Sequence, residues 1–204
     1  MLPEPIKKFV EVFSRLPSIG PRQATRLAFY IASLGKNTAH DIATAVSGLS
    51  LLTSCTRCFR THSASSLGTT RDKSGQAHSG KLCSICSDPT RSFGLIALVE
   101  KETDLLSLEK TKKFSGWYFV TGNLNKGELE PEQKLRLASL KTFITKELKG
   151  KAEEIIFAMN PTIYGDLNAA TLKKELEGYA GKITRLGRGI PTGGEIEFAD
   201  ENTL

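Results

Sequence analysis

The sequence predicts a multi-part α+β chain: a helical N-terminal region, a small metal-binding segment and an α/β domain with a mostly parallel sheet. Three observations carry this prediction. Apolar residues recur at helical spacing through residues 4–53. Two cysteine pairs then stand in a stretch rich in Ser, Thr and Gly. From residue 94 onward, short apolar runs alternate with amphipathic stretches, which is the order of an α/β domain.

The N-terminal region is predicted to contain three helices. Residues 4–15 carry apolar side chains at helical spacing, and residues 22–34 resume that period after a Leu-Pro-Ser-Ile-Gly-Pro breaker. Pro21 suits the first position of the second helix because its missing N–H has no helical acceptor there. A third helix is expected over residues 38–53, with Thr38 as its N-cap.

Four strands and three helices are predicted to alternate in the second half of the chain. The expected strands span residues 95–100, 117–120, 155–159 and 182–186, the helices residues 102–110, 131–149 and 166–177, and a short extended piece residues 195–198. Strands separated by helices pair in parallel, because the chain must cross back between them.

Four cysteines form two tight pairs, Cys55-Thr-Arg-Cys58 and Cys83-Ser-Ile-Cys86, and the chain has no other cysteine. Each pair places two thiolates on one short turn, and two pairs supply the four sulfur ligands that suit tetrahedral Zn²⁺. A closed four-thiolate site leaves no open coordination position. We therefore expect one structural zinc ion per chain rather than a catalytic one.

Two disulfides are the alternative use of these cysteines. The N-terminal residues contain no apolar signal segment, and no apolar run is long enough to span a bilayer, so we expect a cytoplasmic protein without a membrane partner. Thiols stay reduced in the cytoplasm, which favours metal. The 24-residue spacer between the pairs also contains His62 and His78, which we expect to be solvated loop histidines.

The charge of the chain is unevenly distributed. The net charge is +6, yet residues 1–91 carry 12 Lys and Arg against 5 Asp and Glu, while residues 92–204 carry 16 against 17. A basic half beside a neutral half indicates a polyanion partner for the first half. A solvated surface biased for solubility is the alternative.

The turn between the first two predicted helices has the features of a phosphate-binding site. Gly20 lets backbone N–H groups approach an anion closely, and the following helix N-terminus adds donors and a favourable dipole. Arg22 and Arg26 are four residues apart and share a helix face. We expect Ile19, Gly20, Arg22 and Arg26 to bind DNA independently of its sequence and with salt-sensitive affinity. A helical connector with two surface arginines is the alternative.

The order of these features resembles the bacterial recombination-mediator family RecR. The matching stretches are residues 16–29, the two cysteine pairs, and residues 114–120, 160–162 and 184–195. The resemblance implies a helix-hairpin-helix DNA-binding region at residues 1–54, a four-cysteine zinc finger at 55–91, a Toprim domain at 92–190 and a C-terminal Walker-B-like segment at 191–204.

The resemblance also implies what this chain does and with which partners. Members of the family act without catalytic turnover, together with the RecO and RecF repair proteins, to load recombinase on gapped DNA. They form homo-oligomers, from a dimer to a ring-like tetramer that can encircle DNA. Arg22 and Arg26 fall where the family keeps basic residues that contact DNA.

A catalytic Toprim domain needs a glutamate after its first strand and an Asp-x-Asp after its third, because paired carboxylates hold Mg²⁺. Glu100 meets the first requirement. The third predicted strand is followed instead by Asn160-Pro-Thr-Ile-Tyr-Gly-Asp166, and no Asp-x-Asp occurs from residue 92 onward. We therefore expect a non-catalytic domain. A Mg²⁺-dependent Toprim nuclease or strand-passage enzyme is the alternative function, and a zinc-stabilised scaffold without a DNA role is a third.

Glu100, Asp104, Asn160 and Asp166 are then candidate partner-binding residues. For Glu100 and Asp104, a favourable interaction with a helix dipole is the alternative. The glycine-rich stretch at residues 187–194 lacks the Gly-Lys-Ser/Thr ending of a nucleotide-binding loop. We expect a turn there, with Arg185 and Arg188 available to DNA or to a neighbouring subunit.

Overall fold

The computed structural model describes residues 2–63, 82–124, 128–187 and 189. The chain divides into two compact units, Met1–Leu52 and Thr53–Leu204. The predicted extended piece at residues 195–198, His78 and Arg188 lie outside the described residues. In the described part of the chain, no helix is both long enough and apolar enough to cross a membrane.

The first unit contains the three predicted helices, α1 (Glu4–Phe13), α2 (Pro21–Ser33) and α3 (Lys36–Gly48). Pro21 occupies the first position of α2, as predicted, and Gly20 is the N-cap. The apolar side chains at helical spacing in α1 and α2 are mostly not buried. Ala24 and Ala28 are the only buried residues of these two helices.

The third helix begins earlier and ends sooner than predicted. Its N-cap is Gly35 at φ 86°, a conformation that glycine adopts without strain, so the chain reverses there and not at Thr38. The helix ends at Gly48, and Leu49–Leu51 form a 3-10 turn. The residues that follow are drawn into β1 (Leu52–Ser54), which pairs with β2 (Thr61–Ser63).

The second unit contains the predicted alternation of strands and helices. In chain order these elements are β3 (Leu95–Val99), α4 (Glu102–Lys110), β4 (Trp117–Val120), α5 (Pro131–Glu147), β5 (Ala152–Ala158), α6 (Ile163–Leu176) and β6 (Ala180–Arg185). The four strands β3 to β6 pair in parallel in the order β4-β3-β5-β6. The prediction of a mostly parallel sheet is confirmed.

The two faces of this sheet carry different cores. Ile96 and Leu98 of β3 point to the face covered by α5 and α6, while Ala97 and Val99 point to the face covered by α4 and the cysteine segment. Burial on both faces explains why β3 reads as a continuous apolar run and not as an alternating one.

The strand order places a topological switch between β3 and β5. The chain leaves β3 towards α4 on one face, and it leaves β5 towards α6 on the other face. The two loops therefore diverge at the carboxyl ends of adjacent strands, which is where ligands bind in open α/β sheets in general. Glu100 and Asn160 follow these two strands and lie at this edge of the sheet.

Candidate functional sites

The four cysteines come together as predicted, and all four are buried. Their sulfur atoms all lie within 4.8 Å of one another, and the Sγ atoms of Cys58 and Cys83 are 3.6 Å apart. A tetrahedral zinc ion at its usual Zn–S distance of about 2.3 Å would place its sulfur ligands about 3.8 Å apart. All four thiols are free, and the cluster is compatible with a zinc-binding site.

Two tight turns hold the cysteines in this arrangement. The Cys55 N–H donates to the Arg60 carbonyl at 2.8 Å, and the Phe59 N–H donates to the Cys55 carbonyl at 3.0 Å. In the second pair, the Ser87 N–H donates to the Cys83 carbonyl at 3.0 Å. The Cys83 N–H also donates to the Cys55 sulfur at 3.4 Å, which joins the two turns.

The four buried thiols shift one another's ionisation in opposite directions. Hydrogen bonds from Cys58, Cys83 and Cys86 hold the pKa of the Cys55 thiol far below its usual value. Hydrogen bonds with Cys55, Cys58 and Cys83, together with burial, raise the pKa of the Cys86 thiol far above it. Four buried thiolates would repel one another, so full ionisation requires a compensating divalent cation.

The cysteine cluster is part of the second core. The four cysteines pack with Ala97, Val99, Leu105 and Tyr118, and the Val120 N–H donates to the Cys58 carbonyl at 2.9 Å. Arg57, between the first two cysteines, lies over the Trp117 ring at 4.3 Å and donates to the Cys86 carbonyl at 2.9 Å. The arrangement of the four cysteines is therefore coupled to the packing of the sheet.

The prediction of a solvated His62 is wrong. His62 is the middle residue of β2 and is only 8% exposed, because the pairing of β1 with β2 carries it inward. Among the described residues it is not part of the cluster that could hold a metal ion. Short strands next to the cysteines were not predicted, and a Ser- and Thr-rich composition does not reveal them.

The predicted DNA-binding turn lies on the surface of the first unit. Gly20, Arg22 and Arg26 are exposed, and Ile19 is partly buried. The Gly20 N–H donates to Oε1 of Gln23 at 3.4 Å, and proline at the next position has no N–H. The backbone donors at the tip of α2 are therefore those of Arg22 and Gln23.

Gly20 is not required by the fold itself. Its φ is −84°, which any residue adopts, and a Cβ at this position would meet nothing within 4 Å. The space in front of the helix tip is open at Gly20. Such space allows the close approach of another molecule.

Three of the four predicted partner-binding residues lie at the carboxyl edge of the parallel sheet. Asn168 donates from Nδ2 to Oε1 of Glu100 at 2.6 Å. Arg185 forms an ion pair with Asp166 and approaches the Asn160 carbonyl oxygen at 3.5 Å. Both carboxylates at this edge are thus engaged by donors of the same chain.

Asp104 has a different role from the other three. Its Oδ2 accepts a hydrogen bond from the Lys101 N–H at 3.2 Å, which caps the first turn of α4. This geometry matches the alternative in which the carboxylate stabilises the helix end.

Sequence reasoning missed the role of Asn168. Asn168 is 2% exposed and falls on the buried face of α6, between Gly165 and Leu172. The sequence did contain a signal for this role: Asn168 is a polar residue at a position where the helical period of α6 predicts a buried apolar one. Arg185, which the sequence left available to DNA or a neighbouring subunit, forms an ion pair with Asp166 because α6 follows β5 and packs beside β6.

The loop before α6 is closely packed. Thr162 caps the helix by accepting the Gly165 N–H at 3.1 Å. A Cβ at Gly165 would lie 2.0 Å from the Asn160 carbonyl oxygen, so only glycine fits. The cap and this close approach hold Asn160 and Asp166 at the strand ends.

Three family models match the chain in order. Residues 6–48 match "RecR, helix-hairpin-helix", residues 94–187 match "Toprim domain", and residues 189–204 match "RecR, C-terminal". The first match covers α1 to α3 with the turn at Gly20, and the second covers the parallel sheet with its helices. The predicted order of these parts is confirmed.

Full-length relatives agree with these matches. The "Recombination protein RecR" of Clostridium perfringens is 34% identical over 204 residues, which cover 99% of this chain and 93% of that protein. The proteins of the same name from Moorella thermoacetica and Thermus thermophilus are each 36% identical, again over 99% of this chain and 93% of theirs. At this identity and coverage, the chain belongs to the RecR family.

Proposed function

We propose that this protein is a non-catalytic, DNA-binding recombination mediator in DNA repair, which acts with RecO and RecF to promote recombinase loading on gapped DNA. Membership of the RecR family supports the role in recombination. The observation that carries DNA binding is the exposed tip of α2, where Gly20, Arg22 and Arg26 stand together in the region matched by the helix-hairpin-helix model.

The α2 tip suits a phosphate group. Two backbone N–H groups and the helix dipole favour an anion, and Arg22 and Arg26 add two positive charges on one face. Gly20 leaves space for a close approach although the fold does not demand glycine there. None of these groups reads base edges, so binding is sequence-independent. Ile19 precedes this tip, is partly buried, and completes the proposed DNA-binding turn.

The cofactor is one structural Zn²⁺ per chain, held by Cys55, Cys58, Cys83 and Cys86. The buried, closely spaced sulfur atoms support this assignment, and four thiolates complete a tetrahedral shell without a position for substrate. Reduced thiols suit a cytoplasmic protein. The zinc stabilises the segment that packs on α4 and β3, and it takes no part in chemistry.

The partner-binding surface lies at the carboxyl edge of the sheet. Asn160 and Asp166 are exposed there, and large apolar side chains surround them: Ile163 is 79% exposed, and Tyr164 and Leu167 are also exposed. Apolar anchors with a polar rim are typical of a protein interface. We assign this edge, including Glu100, to RecO and RecF on the resemblance to the family. Asp104 is better explained by its capping bond.

The N-terminal unit supports a homo-oligomer. Within residues 2–51, the structure buries Ala24 and Ala28 but leaves large apolar side chains on the surface: Val12, Leu16, Phe29, Tyr30, Leu34, Val46, Leu49 and Leu51. A unit of this size cannot be stable without a core, and such an apolar surface marks an interface. A second copy of this chain would cover it, which is the first step towards a ring.

The oligomeric state can be measured directly. Light scattering during size-exclusion chromatography should give a mass that is a multiple of the 22.2 kDa chain. Phe29→Glu should reduce that mass, because it places a charge inside the apolar interface. Ser33→Glu, at an exposed polar position of the same helix, is the matched control. A monomeric native protein would contradict the oligomer and with it the encircling of DNA.

The enzyme alternative predicts DNA cleavage with Mg²⁺. We expect no cleavage of plasmid or gapped DNA, because Asn168 and Arg185 already engage the Glu100 and Asp166 carboxylates and no Asp-x-Asp is present. The assay compares the native protein with Glu100→Gln in the presence of Mg²⁺. If the native protein cleaves DNA and Glu100→Gln does not, the proposal of a non-catalytic mediator is wrong and the protein is a Toprim nuclease.

A further inference from the structure

Arg57 extends from the first cysteine turn (residues 55–60) around the edge of the parallel sheet. The four cysteines pack into the core on the α4 face. The guanidinium of Arg57, however, lies over the Trp117 ring of β4 at 4.3 Å and over the Phe143 ring of α5 at 5.3 Å from the ring centroids. Phe143 packs against the core on the opposite face. β4 is an edge strand of the sheet, so this one side chain connects the cysteine segment with both faces there.

The two rings under Arg57 are held in place by their own packing. Trp117 is 3% exposed, and its ring centroid lies 4.8 Å from that of Phe143 and 4.7 Å from that of Phe93. Guanidinium groups stack favourably on aromatic faces, and the attraction is stronger where water is excluded. Because these rings cannot move without repacking their surroundings, they fix the position of the guanidinium.

The same guanidinium also connects the two cysteine turns. Nη1 of Arg57 donates to the carbonyl oxygen of Cys86 at 2.9 Å, although the two residues are 29 positions apart in the chain. Cys86 belongs to the second cysteine turn (residues 83–87), which the Ser87 N–H closes on the Cys83 carbonyl. A side chain that is anchored on the sheet therefore sets the spacing between the two cysteine pairs.

The first cysteine turn has a second anchor that does not involve Arg57. The Val120 N–H of β4 donates to the Cys58 carbonyl at 2.9 Å, and the Val120 carbonyl accepts from Nη1 of Arg136 at 3.0 Å. Arg136, on α5, also lies over the Phe59 ring at 5.0 Å. Loss of the Arg57 side chain should therefore leave the first turn on β4 and change mainly its connection with the second turn.

The spacing between the turns matters because a tetrahedral metal site requires its ligands at fixed mutual distances, about 3.8 Å for four sulfur atoms around zinc. Buried thiolates repel one another, so the two pairs are driven apart when no cation lies between them. Contacts that form when the pairs come together add to metal affinity, and groups that orient metal ligands typically contribute about 10–100-fold.

We propose that Arg57 is a positioning residue for the zinc site. Its stacking on Trp117 and Phe143 and its hydrogen bond to the Cys86 carbonyl hold the two cysteine turns at the spacing that the metal requires. This role presupposes the zinc ion of the proposed function. It adds that zinc affinity depends on aromatic rings from β4 and α5, two elements that supply no ligand.

Competition with a chromophoric chelator measures the zinc affinity of the reduced, full-length protein. Arg57→Ala should bind zinc about 10–100-fold more weakly than the native protein. Arg57→Lys should recover only part of that loss, because an ammonium group keeps the charge but lacks the planar fork that stacks and donates at once. Lys134→Ala removes one positive charge from an exposed position of α5 and is the control for net charge. It should bind zinc as tightly as the native protein.

Phe143→Leu and a double-mutant cycle test the route through α5. Loss of the ring should weaken zinc binding about two- to fivefold, because the guanidinium loses part of its aromatic support. Phe143→Leu combined with Arg57→Ala should bind zinc no more weakly than Arg57→Ala alone, since the ring acts through the guanidinium. Additive losses would show that the two residues act independently, and they would overturn the positioning role.

Two further results would also decide against this role. Equal zinc affinity of Arg57→Ala and the native protein would overturn it and leave the zinc assignment intact, and so would equal losses in Arg57→Ala and Lys134→Ala. A native protein that binds no zinc would overturn the zinc assignment and the positioning role together. Circular dichroism at saturating zinc checks the fold of each variant. Should Arg57→Ala not fold, Phe143→Leu decides alone, and an unchanged zinc affinity in that variant overturns the role.

Discussion

Replacement of both Arg22 and Arg26 by alanine should weaken DNA binding at every sequence tested. Hydrogen bonds to charged groups are each worth about 1.5 kcal/mol, so the double variant should lose roughly 100-fold in affinity. With two fewer phosphate contacts, binding releases fewer counterions. The slope of log affinity against log salt concentration should therefore become shallower by about 1.8 for each subunit bound to a duplex. Titrations of a labelled oligonucleotide at several salt concentrations measure both effects.

The control for this experiment must separate local contacts from net charge. Lys173→Ala combined with Lys174→Ala removes the same two charges from exposed positions of α6, outside the N-terminal unit. We expect that variant to keep most of its affinity. An equal loss in both variants would assign binding to overall charge. Unchanged affinity in a folded Arg22 and Arg26 variant would remove the α2 tip from the proposal.

Removal of the zinc should unfold the α4 face of the second unit. The four cysteines belong to the same core as Ala97, Val99 and Leu105, so their separation opens that core. Structural zinc contributes about 10–16 kcal/mol of apparent binding free energy in finger peptides, which is comparable with the whole stability of a domain. We therefore expect Cys58→Ser to lose its zinc and to unfold at a markedly lower temperature than the native protein.

Metal analysis and circular dichroism measure this effect. A strong chelator should reproduce the loss in the native protein, and added Zn²⁺ should restore it. Ser84→Ala, at an exposed position between the two cysteines of the second pair, should keep both zinc and stability. Purified native protein that contains no zinc, or that unfolds at the same temperature after chelation, would contradict the assignment.

Local patterns predicted much of this molecule. The predicted bounds of α4 and β4 agree with the structure. Each was predicted from a pattern that depends only on the residues of that element: a helical stretch for α4 and a short aromatic run for β4. The cysteine spacing identified all four members of the buried cluster, since each pair sits on one tight turn. The third helix was predicted less well, because the positive φ of Gly35 and the pairing of β1 with β2 compete with its helical period.

The sequence by itself determined the order of the parts, the residues of the sulfur cluster and the exposed arginines at the α2 tip, since spacing along the chain suffices for each. Only the tertiary structure decided which groups meet across the sheet: Asn168 with Glu100, Arg185 with Asp166, and the cysteine cluster with the α4 face. Those contacts join residues far apart in the chain, and strand order and crossover direction bring them together. A local pattern contains no information about that order.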